Sequence, residues 1–190
     1  MQLLMDRIRT DGLVIGDRII KVDNFLNHQL DIRLFNEMGK EFKRLFKDAP
    51  INKILTIEAS GIGIACITAQ YFDVPVVFAR KTISSNLDSD TYQAPVYSYT
   101  KDINYTIRVA KRYLSPQDNV LIIDDFLANG NAVCGMLEVL EAAGAKVAGV
   151  GIVIEKSFQG GRQRIAPYNV KIESLAIIES LCEGKIIFAE

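Results

Sequence analysis

Short aliphatic runs and helical stripes alternate along this chain. Leu34, Met38, Phe42 and Leu45 recur at steps of four and three, so DIRLFNEMGKEFKRLF reads as an amphipathic helix opening after Asp31, a residue suited to cap it. Four runs, KILTI (53–57), VPVVFA (74–79), NVLII (119–123) and VAGVGIVI (147–154), are short, β-branched and bounded by turn residues, as strands covered on both faces are. Val133, Met136, Leu137 and Leu140 mark a helix closed by Gly144, and the residues after Gly61 make another. Strand, helix, strand in this order predicts an α/β fold, a mostly parallel sheet flanked by helices and joined by right-handed crossovers.

One stretch breaks the pattern. RKTISSNLDSDTY, residues 80–92, is polar, rich in Ser and Asp, and has neither period, which predicts a long mobile loop of the kind that serves as a lid. APVYSYTK and NYTIRVA alternate apolar and polar residues on either side of Asp102 and predict an antiparallel hairpin carrying that loop.

Composition narrows the function classes. A chain of 190 residues with 49% hydrophobic content can bury a proper core and predicts one domain over residues 1–190. Lys plus Arg is 22 against 23 Asp plus Glu, so no bulk field draws nucleic acid or an anionic membrane, and any phosphate must be gripped locally. No apolar run is long enough to span a bilayer, and Asp6, Arg7 and Arg9 fall where a signal peptide needs an apolar centre, so the expected location is cytoplasmic. Cys66, Cys134 and Cys182 are far apart and His28 is the sole histidine, which leaves buried, reduced thiols as the expectation rather than zinc ligands or disulfides.

The segment VLIIDDFLANGNA, Val120 to Ala132, carries the chemistry. An aliphatic strand ending at Ile123 delivers Asp124 and Asp125 to the carboxyl edge of the sheet, where open α/β proteins bind ligands. Two carboxylates side by side are costly to bury unless they face a cation, sugar hydroxyls, or both. The small residues Ala128, Asn129, Gly130, Asn131 and Ala132 then let backbone amides curl round one compact anion as a helix begins. Taken singly, an Asp pair or an Asn-Gly turn is ordinary turn chemistry; fused in one strand-to-helix connection they point to a phosphorylated sugar.

Two other phosphate motifs are tested directly. No segment has the Gly-Lys-Ser/Thr ending of a P-loop, which argues against a nucleoside triphosphatase. ILTIEASGIGIACIT puts Gly61 and Gly63 at a strand-to-helix turn, but Cys66 stands where a dinucleotide fingerprint needs its third small residue. EASGIG instead offers a second anion turn, with Ser60 and the amides near Gly61 facing the same edge as the aspartates. Two anion cups flanking two acids imply a ligand with phosphates at both ends.

VLIIDDFLANGNA resembles the phosphoribosyl-pyrophosphate (PRPP) signature of the type I phosphoribosyltransferases, and IKVDNFLNHQ, TIEASGI, PVVFARK and GVGIVIEKSF extend the similarity to the branch that acts on xanthine. The resemblance implies the fold of that family, with a small hood from about 1–30 and 156–190 and a mobile hairpin loop at 80–92. It implies that Asp124 and Asp125 are catalytic, contacting the ribose hydroxyls and a magnesium ion held mainly through PRPP, with no metal site fixed by the protein alone. Ala128 to Ala132 then cradle the 5-phosphate, and Ala59, Ser60 and Gly61 hold pyrophosphate through an unusual peptide. Arg80 and Lys81 neutralise the departing pyrophosphate, in this family commonly from the neighbouring subunit, and Ile20, Asn27, Phe126 and Lys156 form the base site. The implied partners are PRPP, xanthine and a second copy of the chain in a homodimer, with no nucleic acid and no membrane.

Without the family, several of these residues have plainer readings. Ile20 is a core residue, Asn27 a turn cap, and Arg80, Lys81 and Lys156 solvated charges. Two departures from the family pattern matter. Asn129 and Ala132 stand where many relatives have hydroxyls, so the cup relies on backbone amides and an asparagine amide. Ala128 stands where some purine enzymes have a third aspartate that handles a proton. Other purines, adenine or hypoxanthine and guanine, and a non-catalytic PRPP-sensing regulator are the alternatives to xanthine transfer. Lys156 favours a 6-oxo purine, because an ammonium donates but cannot accept from an amino group.

Overall fold

A computed structural model describes residues 1–81, 90–98, 103–182 and 184–189. The elements, in chain order, are α1 (Gln2–Asp11), β1 (Leu13–Ile15), β2 (Ile19–Lys21), α2 (Ile32–Leu45), β3 (Lys53–Ile57), α3 (Gly61–Phe72), β4 (Val76–Ala79), β5 (Thr91–Ser98), β6 (Ile103–Ala110), β7 (Asn119–Leu127), α4 (Asn131–Ala142), β8 (Lys146–Lys156), α5 (Gly161–Ile165), β9 (Ile172–Cys182) and β10 (Lys185–Phe188). The main sheet has the order β10-β9-β8-β7-β3-β4, parallel except where β10 turns back on β9.

The strands alternate their faces as pleating requires. On β7, Leu121 and Ile123 join Phe35, Met38 and Phe42 of α2 and Leu4 and Ile8 of α1 in one core. Val120 and Ile122 point the other way, into a second core with Met136, Leu137 and Leu140 of α4 and Val96 and Ile107 of the β5–β6 hairpin. The helix expected after Asp31 forms as read, and the Asp31 carboxylate accepts from the Leu34 amide. The hairpin is antiparallel, pairing Thr91 with Ala110 through Ser98 with Ile103. Most of the expected lid (82–89) and Asp102 lie outside the described residues.

Three expectations need correction. Part of the segment assigned to the hood, Ile172–Cys182, is a strand of the main sheet, because Leu175, Ala176 and Ile178 bury against the α1 and α2 side. Strand β7 continues past Ile123 to Leu127, since its ladder with β8 runs on from Asp124 opposite Ile152 to Leu127 opposite Glu155. The cysteines are free but not buried: Cys66 and Cys182 are exposed and Cys134 is half-buried. Cys66 falls on the outer side of α3, whose inner side is made by Ile64, Ala65, Thr68 and Ala69.

Candidate active site

The chain reverses its direction of travel across the sheet between β3 and β7, with β4 to one side and β8 and β9 to the other. Such a point leaves a crevice at the carboxyl ends of the strands. Register shows how the aspartates reach it while still belonging to a strand. The β3–β7 ladder stops at Leu55 opposite Ile122, so Asp124, Asp125 and Phe126 keep β8 as a neighbour and have lost β3.

Asp124 and Asp125 are 4% and 8% exposed. The Asp125 amide donates to Asp124 Oδ1 at 3.0 Å and the Phe126 amide to Asp125 Oδ1 at 3.0 Å, which fixes both carboxyls. Burial, and then the neighbouring Asp125 carboxylate, hold the Asp124 carboxyl well above the usual carboxylate range, while the Lys81 ammonium pulls it down. A paired, buried set of hard oxygen donors fits a divalent cation that brings its remaining ligands with it. Among the described residues no group of three or more His, Cys, Asp or Glu side chains comes together to hold a metal unaided.

The connection from β7 to α4 is a tight turn of small residues. Gly130 adopts φ 82°, and a β-carbon there would meet the Gly161 carbonyl oxygen at 3.0 Å, so both conformation and space call for glycine. A cavity of about 150 Å³ opens at this turn, bounded by Tyr97, Tyr105, Phe126 and residues 127–133. The two asparagines are engaged elsewhere. Asn129 Nδ2 donates to the Gln159 carbonyl at 3.3 Å and Asn131 Nδ2 to the Tyr97 carbonyl at 2.8 Å. Each asparagine side chain thus braces the loop with one of its two N–H donors, and the first backbone N–H groups of α4 lack partners within the helix.

The second turn joins β3 to α3, and its Glu58–Ala59 peptide is cis. Gly61 lets this turn close down on the acids: a β-carbon there would lie 2.1 Å from Thr56 Oγ1 and 3.2 Å from Asp124 Oδ1. Ala59 and Ser60 share an open cleft with Asp23, Asn27 and His28, which brings the predicted base residue Asn27 beside the predicted pyrophosphate turn. Asn27 closes a helical turn of wide pitch, Asp23–Asn27, anchored by the buried Phe25 and Leu26.

Arg80 and Lys81 leave the end of β4 toward the same place. Arg80 exchanges backbone hydrogen bonds with Arg108 of β6, both 2.9 Å, and the Lys81 amide donates to the Glu58 carboxylate. Lys81 Nζ sits 5.3 Å from the centre of the Tyr105 ring.

On the other flank, Lys156 Nζ lies 5.4 Å from the Phe126 ring centre and donates to the Arg18 carbonyl at 3.2 Å. Burial pushes its ammonium below the usual lysine value. Beside it, Glu155 is clamped by Arg162 Nε and Nη2 at 2.9 and 2.6 Å and by the Ser174 hydroxyl, so the residue preceding Lys156 is fixed. Ile20 is 6% exposed with its side chain in the core, which leaves its backbone as the part that can meet a ligand.

Tyr105, Tyr97, Thr56 and Asp23 border the site and were not singled out from the sequence. A faint signal existed for one of them. Tyr105, Ile107 and Val109 share a face of β6, and that face packs toward α4.

Taken together, two tight strand-to-helix turns flank a buried acid pair at the switch point of a parallel sheet, the place where open α/β proteins bind their ligands. Residues 21–181 match the phosphoribosyl transferase domain. A xanthine phosphoribosyltransferase of Clostridium novyi is 60% identical over 188 residues, covering 99% of each chain. Another, from Ruminiclostridium cellulolyticum, is 58% identical over 190 residues and covers 100% of both. The crystal structure of APRTase from Giardia lamblia complexed with 9-deazaadenine matches with a TM-score of 0.77 and 25% identity, over 92% of this chain and 96% of that one. The chain belongs to the phosphoribosyl transferase family and is a phosphoribosyltransferase.

Proposed function

We propose that this enzyme transfers the 5-phosphoribosyl group of PRPP to xanthine, forming xanthosine 5'-monophosphate and pyrophosphate in purine salvage. The observation that carries the substrate class is the β7–α4 connection, which runs from a buried acid pair into an amide cup without interruption. The base assignment rests on Lys156 beside the Phe126 ring, on Asn27 in the cleft with Ala59 and Ser60, and on the xanthine enzymes among the relatives.

In this reading, amides of residues 128–132 hold the 5-phosphate and Asp124 and Asp125 hold the ribose hydroxyls. Their carboxylates also suit a magnesium ion carried in on PRPP, which when bound neutralises charge on the pyrophosphate. Phe126 stacks on the purine, Lys156 donates to a ring oxygen and Asn27 donates and accepts at the opposite edge. The bond from the anomeric carbon to pyrophosphate oxygen breaks, the ribose becomes oxocarbenium-like, and a purine nitrogen forms the new bond. Arg80, Lys81 and the 59–61 turn receive the leaving group. Xanthine is already partly anionic near neutral pH, so the attacking nitrogen needs no aspartate at Ala128 to take its proton. The working unit in this reading is a cytoplasmic homodimer, and sedimentation checks the assembly.

The deciding experiment is a steady-state assay with PRPP, magnesium and each purine base in turn. Xanthine is expected to be turned over best, and EDTA to abolish the reaction. Turnover of adenine with none of xanthine overturns the base assignment; binding of PRPP without turnover of any base supports the regulator instead.

A further inference from the structure

Tyr105 takes no part in the grip described so far, yet it borders the same cavity as Phe126 and the phosphate cup. It projects from β6, the strand that also engages Arg80 through the backbone of Arg108, three residues on. One strand therefore meets both cations at the end of β4, Arg80 by its main chain and Lys81 by an aromatic face. The Lys81 main chain is separately held by Glu58, at the turn that approaches Asp124. With its backbone fixed, the direction of the long Lys81 side chain remains to be chosen, and the ring at 5.3 Å selects it electrostatically. Among the described residues the Tyr105 hydroxyl has no hydrogen bond and Lys81 Nζ has no carboxylate within ion-pair distance; the Asp124 carboxyl draws the ammonium from farther off, and the ring is the group placed against it.

We propose that Tyr105 is a positioning residue for the reaction: its ring face holds the Lys81 ammonium at the mouth of the phosphoribosyl site, ready for the departing pyrophosphate. This rests on the reading of Lys81 as a pyrophosphate cation. The role belongs to the ring face rather than to the hydroxyl, which separates it from an acid, a base or a hydrogen-bonding contact.

The test is a cycle of Tyr105→Leu and Lys81→Met, singly and together, with Tyr105→Phe as the conservative change, assayed with PRPP, magnesium and xanthine. Thermal midpoints establish that each variant is folded, and Tyr105→Gln, which keeps length without a ring, serves where Tyr105→Leu does not fold. Tyr105→Leu is expected to worsen kcat/KM for PRPP by about three- to tenfold and leave KM for xanthine unchanged. Tyr105→Phe restores most of that loss, and on the Lys81→Met background Tyr105→Leu adds less than about twofold. An equal loss with and without Lys81, or a loss falling on xanthine KM, overturns the positioning role and leaves the reading of Lys81 standing. Wild-type PRPP kinetics in Lys81→Met overturn the reading of Lys81 itself.

Discussion

Asn131 Nδ2 donates to the Tyr97 carbonyl at 2.8 Å, tying the first residue of the phosphate helix to the hairpin strand beside it. The bond makes the amide cup dependent on an element outside the main sheet. Asn131→Ala removes the brace, worth about 1 kcal/mol, and is expected to raise KM for PRPP several-fold with little change in KM for xanthine. Asn131→Asp raises it further, because a carboxylate cannot donate to the carbonyl and repels the phosphate. Initial-rate kinetics with PRPP varied at saturating xanthine measure both.

The acid pair carries a second prediction. Asp125→Asn keeps the shape and the oxygen that accepts from the Phe126 amide, and removes the charge. Turnover is expected to fall by about a hundredfold or more, the scale seen when one preorganised electrostatic contact to a transition state is lost. The thermal midpoint is expected to hold or rise, because one of two adjacent buried charges is gone. Full turnover in this variant rules out its sugar and metal role.

Lys156 links specificity to pH. Lys156→Ala is expected to lower kcat/KM for xanthine by about 10- to 100-fold, the worth of a hydrogen bond from a charged donor, without creating activity on adenine. Burial lowers the ammonium's pKa, so the donor loses its proton at a lower pH than an exposed lysine does. The alkaline limb of the xanthine profile is therefore expected below the free-lysine value, and Lys156→Arg moves it up. A profile unchanged by Lys156→Arg excludes this lysine as its source.

Acid stability follows from two buried carboxylates, Glu155 and Asp118. Burial alone would raise Glu155, but the Arg162 and Ser174 hydrogen bonds outweigh it and hold it below its usual value. Asp118 is likewise raised by burial and lowered further by Lys53 and Ser115, with a lowered pKa as the result. A carboxyl whose folded pKa lies below its unfolded one contributes fully above the unfolded value and loses that contribution as pH falls through the folded one. The thermal midpoint is expected to hold from neutral pH down to about 4.5 and to drop below it. Arg162→Met should cost about 2–3 kcal/mol at neutral pH and move that drop to higher pH, since Glu155 is left buried without its partner. Thermal melts across pH 3 to 7 decide it.

What the sequence revealed follows from where the physics is local. The helix after Asp31, the strands at 53–57 and 119–123 and the amide cup each depend on neighbouring residues, and periodicity or turn chemistry was enough to read them. The continuation of β7 through the aspartates depends on pairing with β8, and the charged pair gave no hint of it. Ile172–Cys182 joins the main sheet beside β8, but the burial that holds it there comes from α1 at the far end of the chain, which no local pattern shows. Tyr105 is hidden from local pattern for a similar reason: its neighbours Lys81, Phe126 and Ala128 are all brought by topology. The asparagines were placed in the right turn, but the direction of their amides depends on Gln159 and Tyr97, about thirty residues away in either direction along the chain.

The loss of β3 as a neighbour beyond Ile122 has an effect on how labour is divided in this enzyme. The carboxyls proposed to grasp the sugar remain stitched to β8, the innermost fabric of the molecule, so their spacing is set by the same ladder that keeps the protein folded. The cations proposed to meet the leaving group, Arg80 and Lys81, sit on the opposite bank, at the sheet's outer strand and its small hairpin. The acid pair is thus set by the central ladder and the two cations by the edge of the fold, so a change in the hairpin reaches the cations and, through Asn131, the β7–α4 turn before it reaches the carboxyls.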